Sequence, residues 1–479
     1  MPFIYRRREP EHEVLRQCVV EHLPAFLAKI EQAGRTLPAF VRKELERFVD
    51  CGVLARGFAR VVCEKCGFTR LVALSCKGRG VCCSCISRRM SDVAAHLVDN
   101  VIPKDIPVRQ WVLSLPVPLR YLLAWDTALC TQVIRIFIKA VFRYLQRTAK
   151  SEFQLERPGD AHTGATCMVQ RWGGSLNLNV HLHALVADGV FVRERDSGAL
   201  VFRALPAPSR GDIAAVAWEV CERVVALLRK RGQWEDASPD DDLLAQTEPA
   251  LAQLYSASIS GTLLMGPNAG QRQMRLLGKP AHQGEDGKIK NAYGFDVDAG
   301  VRIAGHDRGH LERLARYMLR PPLSKSRLER QPDGRYRIWL KKPWRDGTKA
   351  VVLDGPELLG RLAALVPPPR AHLTRYLGVF AQRAALRNEV IPNAKPNHSN
   401  TGCMHAADTE KASEKKRQHR LSWSQLLSRV FAIDVLACDR CGSRMQRVEW
   451  CLRAERIKAV LGDATGPPVG LSITEPNAA

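Results

Sequence analysis

Two histidines, a tyrosine and several cysteines stand in patterns that could do chemistry. Over 176–187 the side chains of a strand alternate between faces. Leu176, Leu178, Val180, Leu182, Ala184 and Val186 make one face wholly apolar, and Asn177, Asn179, His181 and His183 open the other. Two imidazoles one pleat apart can share a metal ion, although a solvated histidine pair on a half-exposed strand gives the same pattern. Further on, Tyr317 sits on a basic helix expected over 306–320, among Arg308, Arg313, Arg316 and Arg320, with Leu311, Leu314, Ala315 and Met318 marking the apolar side. A phenol is a poor nucleophile at its usual pKa of about 10. Neighbouring cations, and a metal that polarises a phosphate, make its attack feasible. A core tyrosine on an amphipathic helix is the competing explanation.

Cys63, Cys66, Cys82 and Cys85 read C-x2-C-x15-C-x2-C. Each C-x2-C pair can place two thiolates on one tetrahedral ion, so the four are expected to hold one closed, structural Zn2+. Cys76 and Cys83 are spare and either could replace one of the four. Lys65, Arg70, Lys77, Arg79, Arg88 and Arg89 nearby would turn such a module toward phosphates. Cys438 and Cys441 form another C-x2-C with no obvious second pair, only Cys451 lying close, and zinc there stays open.

These residues need elements to hold them. Helical periodicity marks 12–60 and 87–100, and a short strand is expected over 108–115. A long amphipathic helix is expected over 119–145. Strands follow at 163–172, 176–187 and 190–195, with Gly173-Gly174 and Asp188-Gly189 as turns. Helices near 213–231 and 243–258 flank an acidic loop at 235–242, and 330–353 resembles a hairpin. Pro321-Pro322 stops the tyrosine helix. The resulting division is a helical zinc-binding domain at 1–107, a catalytic domain at 108–385, a flexible linker at 386–420 and a small C-terminal module at 421–479.

The 479 residues carry 72 Lys+Arg against 49 Asp+Glu, a formal net charge of +23. Such a surplus seeks a polyanion, and nucleic acid is the first candidate. The longest apolar run, 133–142, is interrupted by Arg135 and Lys139, too short and too charged for a membrane span. The first eleven residues lack a signal-peptide core, so a cytoplasmic protein is expected, whose cysteines are more suited to metal than to disulfides.

The stretches 75–85, 109–116, 170–183 and 316–323 resemble the rolling-circle transposases of the insertion-sequence-ninety-one type, in particular their common-region (ISCR) branch. His372-Leu-Thr-Arg-Tyr-Leu-Gly-Val379 and the Cys438 module fit the same pattern, and the likeness runs from about residue 12 to residue 450. It implies an α+β fold of the HUH type, a central antiparallel sheet flanked by helices, named for the His-hydrophobe-His pattern of 181–183. It implies that His181 and His183 hold Mg2+ or Mn2+. It implies that Tyr317 attacks a phosphate of single-stranded DNA at transposon ends or target DNA, leaving a 5′-phosphotyrosine and a free 3′-hydroxyl. Two-tyrosine members carry a second tyrosine one helical turn away. Here those positions are Arg313 and Pro321, so the chain looks like a single-tyrosine member. Many members have a histidine where this chain reads Phe295-Asp-Val-Asp298, and Asp298 either substitutes for it or leaves the site weaker. The third metal ligand is assigned to Gln170, an oxygen donor on the preceding strand, with His310 and Glu312 as rivals. Two other functions compete with the transposase: a DNA-binding zinc protein with an inactive nuclease core, and a plasmid rolling-circle replication initiator.

Overall fold

The computed structural model describes residues 7–234, 242–264, 268–277, 289–290, 293–391 and 421–462. Nearly all of the expected acidic loop (235–241), most of the expected linker (392–420) and the tail (463–479) lie outside the described residues.

The chain folds as α+β, with antiparallel sheets flanked by helices. Helices α1 (Val14–Gln32) and α2 (Ala39–Val49) come first, followed by a hairpin of β1 (Phe58–Cys63) and β2 (Thr69–Ala73) inside the cysteine-rich stretch. Then come α3 (Cys83–Asn100), β3 (Val108–Ser114), α4 (Val117–Trp125) and α5 (Thr127–Phe153). The single helix expected over 119–145 is therefore two. Asp126 leaves the helical conformation and its carboxylate accepts from the backbone N–H of Leu129 at 2.7 Å, which caps α5.

The central sheet has six strands in the order β14-β4-β5-β3-β10-β9, where β4 is Gly164–Trp172, β5 Leu178–Ala187, β9 Ile289–Lys290, β10 Asp296–Ile303 and β14 Thr374–Gly378. All of its pairings are antiparallel. The histidine strand β5 lies in the middle. Its apolar face joins Leu178, Val180, Leu182, Ala184 and Val186 to the main core, beside Phe137, Ile138 and Val141 of α5 and Val216 and Val220 of α6 (Arg210–Lys230). Fully burying each larger aliphatic chain contributes about 1.5–3 kcal/mol, enough to fix the register without help from the other face. Helices α7 (Leu243–Thr247), α8 (Pro249–Ser260) and α10 (Gly355–Leu365) complete that layer.

The opposite face is covered by α3 and by α9 (Arg308–Leu319), the tyrosine helix. Leu311, Ala315 and Met318 of α9 pack with Ala94, Leu97 and Val98 of α3 on Met168, Leu185 and Ala187 of the sheet. Asp307 caps α9 by accepting from His310 N–H at 2.9 Å, and Arg320, which precedes Pro321, turns extended and ends it.

Two small sheets sit outside this sandwich. One pairs β6 (Gly189–Arg193) with β7 (Leu200–Ala204); the other has the order β11-β12-β13-β8, from Leu328–Arg330, Tyr336–Trp339, Thr348–Leu353 and Met274–Leu277. A third sheet joins the two ends of the described chain. β15 (Met445–Cys451) pairs with β1 in the order β15-β1-β2, so a strand of the expected C-terminal module 421–479 lies in a sheet with the N-terminal hairpin. No helix among the described residues is long and apolar enough to cross a membrane.

Candidate active site and metal centres

Register across the sheet places the candidate residues in rows. His181 is opposite Gln170 on β4 and Ser114 on β3; His183 is opposite Met168 and Val112. Residues directly opposite share a face, so Gln170 and both histidines stand on the side where α9 lies. The imidazole centroids are 4.9 Å apart. His181 Nδ1 is 2.8 Å from the Asn179 carbonyl, which makes Nδ1 the protonated nitrogen and Nε2 the one with the lone pair. His183 Nδ1 is 2.9 Å from the amide nitrogen of Gln110, which as placed donates to it. With that amide turned to present its oxygen, an isosteric change, His183 also keeps its proton on Nδ1. His183 Nε2 is buried and has no hydrogen-bond partner. Burial, then the nearby His181 and Arg320, push the His183 pKa down to about 3, so it is neutral at physiological pH. With the Gln110 amide turned, this buried, partnerless nitrogen is unprotonated and, beside the His181 ring, fits a divalent metal.

Gln170 ties the tyrosine helix to this row. Its amide nitrogen donates to the backbone carbonyls of Met318, at 2.5 Å, and Tyr317, at 3.4 Å. The amide oxygen is left as the available donor for a metal. Among the described residues, the groups of three or more His, Cys, Asp and Glu side chains close enough to share an ion consist of cysteines only, so no carboxylate or third histidine joins His181 and His183. Glu312 instead pairs with Arg316 at 3.3 Å and with Arg429 at 2.8 Å, and His310 lies in the first turn of α9, 3.7 Å from Asp307. Asp298 is opposite Val112 on β10, one strand beyond β3, and accepts from Gly300 N–H. Two strand spacings, about 9.5 Å, separate it from His183.

Tyr317 is half exposed, at 49%. The Arg320 guanidinium lies 4.0 Å from its ring centroid and the Lys341 ammonium 5.3 Å from it. A hydrogen bond from Arg320, then the charges of Arg320, Lys341 and Lys342, hold the phenol below its ordinary pKa. Those lysines come from the β12–β13 hairpin. Arg327 keeps the hairpin in place by donating to the Trp339 carbonyl at 2.6 Å and to the Gly174 carbonyl in the β4–β5 turn. Tyr336 and Tyr376 are placed differently. Tyr336 is fully buried and its pKa is raised by burial, and Tyr376 of β14 stands edge-on to His96.

The four arginines expected to face DNA divide. Arg308 donates to the carbonyls of Val98, Ile102 and Pro103 at the end of α3. These bonds hold its guanidinium against the end of α3. Arg316 is paired with Glu312, while Arg313 is exposed and Arg320 covers Tyr317. Lys341, Lys342 and Gln110 escaped the sequence reading because nothing local ties a hairpin tip or a neighbouring strand to the tyrosine and histidines.

The cysteine grouping is also corrected. Cys63 and Cys66 do not meet Cys82 and Cys85. Cys82 and Cys85 join Cys51 and Cys76 instead, with Sγ separations of 3.5 Å for Cys51–Cys82, 3.7 Å for Cys51–Cys85 and 3.5 Å for Cys76–Cys85. Sulfurs on one tetrahedral zinc stand about 3.8 Å apart, so this quartet fits a closed structural zinc. Cys76, a spare in the sequence reading, is a member; Cys83 instead points its thiol at the Leu323 carbonyl. Cys51 had no C-x2-C partner to reveal it. Cys63 and Cys66 lie with Cys438 and Cys441.

Residues 19–115 match the family model described as Transposase zinc-binding domain, and residues 164–388 match the one described as Putative transposase. The first match contains the whole Cys51 quartet, and the second contains His181, His183 and Tyr317. No curated protein and no solved structure matches the chain. The two matches support a transposase of the insertion-sequence-ninety-one type, carrying structural zinc and acting on DNA.

Proposed function

We propose that this chain acts as a single-tyrosine HUH transposase that nicks single-stranded DNA at element ends and transfers the strand in rolling-circle transposition. One observation carries this reading. Gln170, the register partner of His181, holds the backbone of Tyr317, while Arg320 both covers the Tyr317 ring and acts on His183. Tyrosine, cations and the histidine pair are therefore linked through two side chains.

His181, His183 and the Gln170 oxygen would hold Mg2+ or Mn2+, which supplies polarisation of the scissile phosphate when bound. The remaining work falls to the chain. Arg320 stabilises the phenolate of Tyr317 as its proton leaves to solvent. The phenolate oxygen attacks phosphorus, the bond from phosphorus to the 3′ oxygen breaks, and that oxygen takes up a proton to become a 3′-hydroxyl. The 5′ side stays on Tyr317 as a phosphotyrosine ester. Attack on that ester by another strand's 3′-hydroxyl restores a phosphodiester and frees Tyr317. Arg320, Lys341 and Lys342 offset charge on the phosphate throughout.

The test uses 3′-labelled single-stranded fragments from the ends of the element, with Mn2+, run on denaturing gels. Wild type should give a labelled covalent adduct. Tyr317→Phe should give none, at least ~10³-fold less by the usual effect of removing a nucleophile, with DNA affinity nearly unchanged. Binding without any adduct from wild type would favour the inactive DNA-binding protein. An adduct that never joins a second end would favour a replication initiator. An adduct that survives in Tyr317→Phe would move the nucleophile elsewhere.

A further inference from the structure

The C-x2-C pair that the sequence leaves without a partner is completed by the fold. Cys63-x2-Cys66-Gly67 and Cys438-x2-Cys441-Gly442 are built alike. In each, the glycine takes a left-handed φ (69° and 71°) and its N–H donates to the carbonyl of the first cysteine at 2.9 Å. In each, the first cysteine's own N–H donates across the turn, Cys63 to Phe68 at 2.9 Å and Cys438 to Ser443 at 2.8 Å. A turn of this form points two sulfurs the same way. The first turn joins β1 to β2, and the second leads into β15, which pairs with β1. Both turns consequently lie at the same end of one three-stranded sheet.

The sulfurs meet there. Cys63–Cys441, Cys66–Cys438 and Cys66–Cys441 are each separated by 3.5 Å. Disulfide sulfurs stand about 2.05 Å apart, whereas tetrahedral zinc thiolates stand about 3.8 Å apart. Other contacts fit the two turns to each other. Arg70, only 8% exposed, donates to the carbonyls of Val435 and Ala437 and pairs with Asp439 inside the second turn at 2.7 Å. The Arg440 guanidinium lies 5.1 Å from the ring centroid of Phe68.

We propose that Cys63, Cys66, Cys438 and Cys441 hold a second zinc ion, supplied half by each end of the chain, which fastens residues 421–462 to the N-terminal domain. The site falls partly outside both matched regions, and it stands whether or not Tyr317 is the nucleophile. The fastened segment reaches the tyrosine helix. From the helix Trp423–Phe431, Arg429 donates to Asp99 of α3 at 3.1 Å and to Glu312 of α9 at 2.8 Å. Zinc at one end and Arg429 at the other would hold this segment across α3 and α9.

Elemental analysis of the full chain tests the site. Wild type should carry two zinc ions. Cys438→Ser and Cys63→Ser should each carry one, and the double variant Cys63→Ser/Cys438→Ser should also carry one, because both positions serve the same ion. Cys441→His, which keeps a ligand, should retain two. As a measurement free of folding defects, Co2+ exchanged into wild type should bind at two equivalents with the absorption of a four-thiolate tetrahedral site at each. One zinc in wild type, two in Cys438→Ser, or none in the double variant would overturn the proposal.

Discussion

The side-chain amide of Gln170 donates to the backbone carbonyl of Met318 at 2.5 Å, so the strand residue opposite His181 holds the turn of α9 that carries Tyr317. In the proposed mechanism Gln170 would have two tasks, orienting the tyrosine helix with its nitrogen and offering its oxygen to the metal. Gln170→Ala should lower both Mn2+ affinity and cleavage by roughly 10- to 100-fold, the usual cost of removing a ligand or the group that orients one. Gln170→Glu keeps an oxygen donor but loses the N–H, so it should recover metal affinity more than cleavage. Calorimetric Mn2+ titration beside single-turnover cleavage separates the two. Gln170→Ala with unchanged affinity and rate would remove Gln170 from the site.

In the proposed mechanism Arg320 would shift the pH at which the Tyr317 phenol reacts. Its hydrogen bond and charge favour the phenolate and hold Tyr317 below its ordinary pKa. Deprotonation increases as pH rises, so the cleavage rate should climb on the alkaline side until the phenol is ionised. Removing Arg320 raises the phenol's pKa, and that climb must then move to higher pH. Arg320→Ala should lose roughly 10- to 1,000-fold at pH 7 and recover part of the loss at high pH. A rate reduced by the same factor at every pH would mean that Arg320 only binds DNA.

Much of this site was legible because it lies on periodic elements. The alternation through His181 and His183 and the apolar stripe Leu311, Ala315 and Met318 are local signals, and both faces are buried as their patterns require. Strand β10 was not legible, because a register shift between Asp298 and Val301 breaks its alternation, and the edge strand β14 buries neither face fully. The cysteine spacing was read correctly in pairs and wrongly as a quartet. A C-x2-C turn is fixed by neighbours in sequence, whereas the choice of which turns meet belongs to the pairing of β15 with β1 and to the lone Cys51. Lys341 and Lys342 reach Tyr317 only through a hairpin whose placement depends on Arg327.

Arg308 separates structural from DNA-facing arginines. Its guanidinium donates to the carbonyls of Val98, in the last turn of α3, and of Ile102 and Pro103 just beyond it. Arg308→Ala should therefore destabilise the protein by about 2 kcal/mol and leave the salt dependence of DNA binding unchanged. The exposed Arg313 should behave the opposite way. Arg313→Ala should melt like wild type and reduce the slope of log affinity against log salt by about 1. Thermal melts and salt titrations of both variants decide this. An Arg308→Ala protein with wild-type stability and a shallower salt slope would return Arg308 to the DNA interface.

His183 makes the metal-free protein acid-sensitive in a defined window. Burial, His181 and Arg320 push its pKa down to about 3, while an unfolded histidine titrates near 6.5. Between those values the unfolded chain binds a proton that the native protein refuses. The stability contributed by neutral His183 is thus complete above pH 6.5 and declines as pH falls toward 3. Each pH unit in that window costs on the order of 1.4 kcal/mol, so the whole effect is at most a few kcal/mol. Other groups titrate there too, so the informative quantity is the difference from His183→Gln, which keeps polarity without a titrating ring. Relative to that variant, apo wild type should lose melting temperature steadily from pH 6.5 to pH 4. Saturating Mn2+ should oppose the loss in wild type, since ligation requires the neutral ring, and do little in the variant. If the two proteins melt in parallel across the window, with and without Mn2+, His183 is neither a buried neutral imidazole nor a metal ligand.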